Sequence, residues 1–136
     1  MNKQLHVLLD LLYPPSRCPI CFAYSEGLCI PCEDRILLSR LQVTQGGQGW
    51  SLFQYTEDVK GLLSAFKKNG SFLAGQEIAA LMVKALPYDL GSVDFITYAP
   101  SSRISLKRLG FDHGKVLAKA LAKKFKVPVQ NLFLAP

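Results

Sequence analysis

The sequence predicts an α/β protein in two parts: a small N-terminal four-cysteine zinc ribbon, then an α/β unit in the order helix, helix, strand, helix, strand. Three observations carry this expectation. All four cysteines fall in one short stretch as two Cys-x2-Cys pairs, Cys18 with Cys21 and Cys29 with Cys32. Downstream, stretches of helical apolar period alternate with short extended apolar runs. Basic residues gather towards the C-terminal end instead of being spread along the chain. At 136 residues the chain has room for one ordinary domain, or for a metal module with a modest α/β unit. It is 49% hydrophobic and 19% charged, and nothing in it approaches the roughly 18 uninterrupted apolar residues of a membrane span. A soluble, cytoplasmic protein is therefore expected.

Residues 3–12 place Leu5, Leu8, Leu9 and Leu12 on one face, with Lys3, His6 and Asp10 breaking up any continuous apolar run. This is the pattern of a short amphipathic helix and not of a secretory signal. Pro14 and Pro15 stop it. Without a signal the thiols are expected to stay reduced, which favours metal over the three possible pairs of disulfides. A Cys-x2-Cys turn aims two thiolates at one point, and two such turns supply four sulfurs to a closed tetrahedral site with no position left for substrate. Cys18, Cys21, Cys29 and Cys32 are thus expected to hold a structural Zn²⁺, with iron as the alternative for an all-sulfur set. From Glu33 to Leu41, Ile36, Leu37 and Leu41 suggest a brief closing helix. Residues 42–49, with Gly46, Gly47 and Gly49, read as a linker between a first domain at 1–41 and a second at 50–136.

Trp50 to Tyr55 reads as a short strand. Thr56 is a good N-cap for a helix with Glu57 and Asp58 in its first turn and Val59, Leu62, Leu63 and Phe66 on one face. Lys67, Lys68, Asn69 and Gly70 give that helix a basic last turn and a left-handed stop. Ser71 caps a second helix carrying Ile78, Leu81, Met82 and Ala85, which Pro87 ends. After a turn at Gly91–Asp94, the run Phe95 to Ala99 has the composition of a buried strand, stopped by Pro100. Ser101 and Ser102 open the next segment. From Gly114 to Lys126 a third helix is expected to bury Leu117, Leu121 and Phe125, and Val127-Pro128-Val129 starts another extended piece.

The net charge of +6 has a definite location. Residues 1–50 carry four basic and four acidic side chains, residues 51–100 four and five, and residues 101–136 eight and one. Such a local excess points to an anionic partner, phosphate or a nucleic-acid backbone, with Arg103, Lys107, Arg108, Lys115, Lys119 and Lys123 as its candidate contacts. A solvated helix face is the alternative reading of the same lysines.

The ordered set Tyr13-Pro14-Pro15-Ser16-Arg17-Cys18-Pro19-Ile20-Cys21, Leu28-Cys29-Ile30-Pro31-Cys32, Phe66-Lys67-Lys68-Asn69-Gly70, Thr97-Tyr98-Ala99-Pro100 and Leu109-Gly110-Phe111-Asp112-His113 resembles the ComF family of competence and DNA-uptake proteins. The similarity runs over nearly the whole chain. It implies a zinc ribbon in front of a type I phosphoribosyltransferase-like α/β domain, with Mg²⁺ and phosphoribosyl pyrophosphate wherever a complete site is formed. It also implies single-stranded DNA or other DNA-uptake proteins as partners. Leu109 and Asp112 stand where the family element has Arg and Asn, and no adjacent acidic pair follows a buried strand here. The chain is accordingly expected to represent the N-terminal half or so of a ComF-like protein, and not to catalyse phosphoribosyl transfer alone. An adaptor that binds nucleic acid through the basic C-terminal helix is the second reading.

No catalytic residue can be assigned. His6 and His113 lie near opposite ends of the chain, and His113, beside Gly110-Phe111, is the better functional candidate of the two. Ser101 and Ser102 lack an elbow motif or a base and read as helix caps. Trp50, Phe53 and Tyr55 read as a packed edge strand before they read as base-stacking groups, and Gly46–Gly49 lacks a Walker lysine.

Overall fold

The computed structural model describes residues 16–44, 49–86 and 93–134. The expected helix at 3–12 with His6, the stop at Pro14-Pro15, and Gly46, Gly47, Pro87 and Gly91 lie outside the described residues.

Helix α1 (Ile30–Leu38) starts directly on the second cysteine pair, with Cys29 as its N-cap and Pro31 in its first turn, where the missing N–H costs nothing. It ends at Ser39, whose N–H and Oγ both donate to the Ile36 carbonyl, at 3.0 and 2.7 Å. The closing helix expected at Glu33–Leu41 is therefore shifted towards the N-terminus. Beyond Ser39 the chain forms strand β1 (Arg40–Thr44), antiparallel to β2 (Trp50–Phe53), with Arg40 opposite Phe53, Val43 opposite Ser51 and Thr44 opposite Trp50. A strand at the expected place thus pairs with residues that read as helix end and linker. The alternation and β-branched content of Leu41-Gln42-Val43-Thr44 explain the strand, and the neighbouring glycines hid it.

Helices α2 (Glu57–Lys67) and α3 (Phe72–Ala85) are punctuated as the sequence predicts. The Val59 and Ala74 amides donate to the Thr56 and Ser71 hydroxyls at 3.4 and 3.2 Å. Between them Gly70 takes φ +68°, a conformation only glycine adopts cheaply. Two further helices complete the set, α4 (Arg103–Leu109) and α5 (His113–Phe125), capped by Ser102 and Asp112 and ended by Gly110 at φ +75° and Lys126 at φ +57°. In α5 the buried residues are Ala118 and Ala122, while Leu117, Leu121 and Phe125 are only half-buried. Helix α3 packs along α5, and Ala79 on α3 is buried like Ala118 and Ala122 on α5, small side chains that permit a close approach.

The run Phe95–Ala99 is not a fully buried strand. It makes one parallel bridge, Ile96 with Val129, through Ile96 N–H to the Pro128 carbonyl at 2.9 Å and Gln130 N–H to the Ile96 carbonyl at 2.8 Å. Phe95 stays 39% exposed, because among the described residues this strand has one neighbour where a buried parallel strand needs two. The described architecture is thus a small α/β arrangement of five helices, one antiparallel hairpin and one parallel bridge. Its core joins Leu62, Ala65, Phe66, Ala74 and Leu81 of the helices to Cys18, Leu28, Cys32 and Ile36. No described helix is long and apolar enough to cross a membrane.

Candidate metal centre and basic surface

Two different local structures deliver the four sulfurs. The first pair sits on a turn: the Cys18 amide donates to the Ala23 carbonyl at 2.8 Å and the Phe22 amide to the Cys18 carbonyl at 3.0 Å. Phe22 follows Cys21 at φ +62°, a left-handed conformation in which a side chain is strained. Arg17 braces this turn by donating to the Phe22 carbonyl and the Tyr24 hydroxyl, both at 3.1 Å. The second pair sits at the start of α1, where the partial positive charge of a helix N-terminus favours thiolate.

The four Sγ atoms lie within 4.8 Å of one another, and Cys21 and Cys29 approach to 3.5 Å with every thiol free. A tetrahedral ion with metal–sulfur bonds of about 2.3 Å places its sulfurs roughly 3.8 Å apart, a spacing that lies between the 3.5 Å of the Cys21–Cys29 pair and the 4.8 Å limit of the set, so these donors can close on such an ion. Cys18 and Cys32 are buried and Cys21 faces solvent. Burial pushes the Cys18 thiol up, but backbone amides of Cys29, Cys21 and Ile20 aimed at its sulfur outweigh that and bring it down to about 6. Burial and the neighbouring cysteines push Cys32 up to about 12, against the pull of Arg35. Four sulfurs crowded without a cation cannot all ionise, and a bound divalent metal is what would relieve that crowding.

Arg35 was not singled out by sequence, although it lies one helical turn after Cys32. Its Nη2 donates to Cys32 Sγ at 3.2 Å, and the same guanidinium grips Asp58 with Nε to Oδ2 at 2.7 Å and Nη2 to Oδ1 at 3.0 Å. The Arg35 hydrogen bonds hold the Asp58 carboxyl below its ordinary range, and Asp58 and Cys32 in turn raise Arg35. The centre is thereby tied to the first turn of α2. A second tie runs from α1 to the last turn of α3 through the Glu33–Lys84 ion pair.

The six predicted basic contacts fall on two helices, Arg103, Lys107 and Arg108 on α4 and Lys115, Lys119 and Lys123 on α5. All six are exposed, and none forms an ion pair among the described residues. Ser102 caps α4, its Oγ accepting from the Ser105 amide at 3.3 Å. Ser101 donates through its N–H and Oγ to Asp112, both at 3.0 Å, so neither serine is set up as a nucleophile. The Asp112 carboxylate also accepts from the Lys115 amide at 3.2 Å, and it fills the α5 N-terminus that a phosphate would otherwise use. Burial raises the Asp112 carboxyl, but the Ser101, Lys115 and Gly114 donors win and leave it depressed.

His113 is a packing residue. Its ring lies edge-on to Phe66 at 5.2 Å, 4.8 Å from Phe111, with Nε2 3.2 Å from the Lys67 carbonyl. Phe111 in turn sits 6.0 Å from Phe66 and 4.9 Å from Phe72, against Gly70. Trp50, Phe53 and Tyr55 line an apolar groove of about 340 Å³ with Val59, Leu62 and Met82.

Fold and site together define a small α/β protein built around a four-cysteine centre able to hold a structural metal. Compared with protein-family models, curated proteins and solved structures, the chain matches none of them.

Proposed function

We propose that this chain is a ComF-like accessory protein of DNA uptake, in which a structural Zn²⁺ braces a phosphoribosyltransferase-like α/β domain that presents a basic surface to nucleic acid. The observation that carries this reading is the set of six exposed cations on α4 and α5, without ion-pair partners among the described residues, together with a metal centre that is closed and so has no catalytic vacancy. The packing of the Phe66–Gly70 turn on Gly110-Phe111-His113 also supports it, since the two elements that carried the family resemblance meet in space. Cys18, Cys21, Cys29 and Cys32 would hold the zinc, which supplies folding free energy and no chemistry. Asp112 occupies the α5 N-terminus that a phosphate would otherwise use, and catalysis of phosphoribosyl transfer by this chain alone is not part of the proposal.

The test is binding to single-stranded DNA across a salt series. Affinity should fall steeply with salt, and Lys115→Glu, Lys119→Glu and Lys123→Glu together should abolish it. Binding indifferent to the triple reversal would refute the basic-surface reading. Pyrophosphate release from phosphoribosyl pyrophosphate by the purified chain would refute the non-enzymatic one.

A further inference from the structure

We infer that single-stranded nucleic acid is gripped at the junction of the α2–α3 turn with the segment entering α5, where Phe72 offers a base-stacking face and Lys67 and Lys68 neutralise phosphates. This rests on the nucleic-acid reading proposed above, and it extends the surface from the α5 lysines to the α2–α3 turn.

Two segments far apart in sequence build the junction. The Phe111 ring covers Gly70, and His113 Nε2 reaches the Lys67 carbonyl at 3.2 Å, so the turn at 68–71 and the start of α5 share one surface. Both contributors are poor in acid. Residues 59–76 contain no Asp or Glu, and residues 95–134 contain one, Asp112, whose oxygens are taken by Ser101 and the Lys115 amide. Glu77, the next acid along, is turned against Gly27 of the cysteine loop. Lys67 and Lys68 are exposed at the turn itself, and Arg108 and Lys115, exposed too, stand three positions before Phe111 and two after His113, so cations flank the junction along both segments.

A basic last turn also complements a helix dipole, which would account for the two lysines alone. It does not account for Phe72. This ring stands at the first position of α3, four residues after Lys68, and remains 56% exposed while resting on Phe111 at 4.9 Å and 35°. A ring held in place on one side by another ring, open on its other side and flanked by cations is the arrangement that binds unpaired bases without sequence preference. A duplex keeps its bases stacked and could use only the cations, which is why single strands are the predicted ligand.

The experiment is fluorescence anisotropy of the metal-loaded chain with a labelled mixed-sequence oligonucleotide, alone and as its duplex, over a salt series. The single strand should bind more tightly than the duplex. Phe72→Ala should weaken single-strand binding about tenfold with its salt dependence unchanged, and Phe72→Trp should restore it. Lys67→Gln with Lys68→Gln, both at solvent-exposed positions, should weaken binding and flatten the log–log salt slope by about 1.4. Wild-type binding by both sets of variants, with loss on reversal of Lys115, Lys119 and Lys123, would overturn this placement and leave the proposed function standing. Preference for the duplex would overturn it as well. Failure of the unaltered chain to bind either form would sink both.

Discussion

Arg35 touches the metal centre and α2 at once, through Cys32 Sγ and the two oxygens of Asp58. A cation donating to a ligating sulfur offsets the negative charge that four thiolates place on a divalent ion, and outer partners of this kind typically change metal affinity by about 10- to 100-fold. Arg35→Ala should therefore lower metal affinity within that range in a chelator competition, while Arg35→Lys, which lacks the forked donors that reach sulfur and carboxylate together, should recover only part of it. The strain at Phe22 makes a prediction of opposite sign. Its φ of +62° is one a glycine accepts freely, and the ring is 67% exposed, so little packing is lost on removal. Phe22→Gly should raise the unfolding temperature of the metal-loaded protein, by an amount equivalent to about 0.5–1 kcal/mol once the added flexibility of glycine is set against the relieved strain. The four sulfurs were plain in the sequence because ligand spacing is local. Arg35 and Asp58 were not, since a partner 23 positions away is fixed by how α1 meets α2 and by no short pattern.

Helix caps were the most legible elements. Thr56 and Ser71 each accept the amide hydrogen bond their positions predicted, because the competition between side chain and backbone that makes a cap is settled within a few residues. Strand partners were the least legible: β2 was visible, but β1 lay within residues whose glycines suggested a linker, and the Ile96–Val129 bridge depends on where α5 returns the chain. Asp112 joins cap and loop, serving α5 through the Lys115 amide and holding Ser101 twice. Its carboxyl is depressed in the folded state, so its contribution is present above the ordinary carboxylate value of about 3.9 and is lost as pH falls through the lower folded value. Asp112→Asn should accordingly flatten the fall in unfolding temperature below about pH 4 relative to the parent, and Asp112→Ala should cost about 1–2 kcal/mol near neutrality. In α3, a methyl group on Gly75 would stand 2.7 Å from the Phe66 ring. Gly75→Ala should thus destabilise by about 1–3 kcal/mol in a denaturant titration, despite the better helix propensity of alanine.

Across the whole molecule, Cys18 and Cys32 belong to the same buried cluster as Leu62, Phe66, Ala74 and Leu81. Stripping a metal bound by these cysteines should consequently do more than loosen the cysteine loop. Far-UV circular dichroism with and without a chelator should show lost helical signal and a lowered unfolding temperature, and acid should have a parallel effect by protonating the thiolates. A helical signal and transition unchanged by chelation would mean that the cysteine loop stands apart from the helices. The sequence divided the chain into metal module and α/β unit on the strength of glycines at 46–49; the shared core is a long-range property that no window of residues displays.

The Phe66–Phe111–His113 junction also bears on the order in which the chain assembles. Cys21 and Cys29, whose sulfurs meet, are separated by 8 positions, whereas Lys67 and His113 are separated by 46. Closing the longer loop costs about 1.5 kcal/mol more in chain entropy, by the logarithmic dependence on length. The cysteine loop and the α2–α3 pair can therefore form early, leaving the docking of α5 and the Glu33–Lys84 tie, whose partners are 51 positions apart, to follow. Until α5 docks, the side of Phe66 that meets Phe111 and His113 lacks its cover, so its burial depends on contacts distant in sequence as well as on α3.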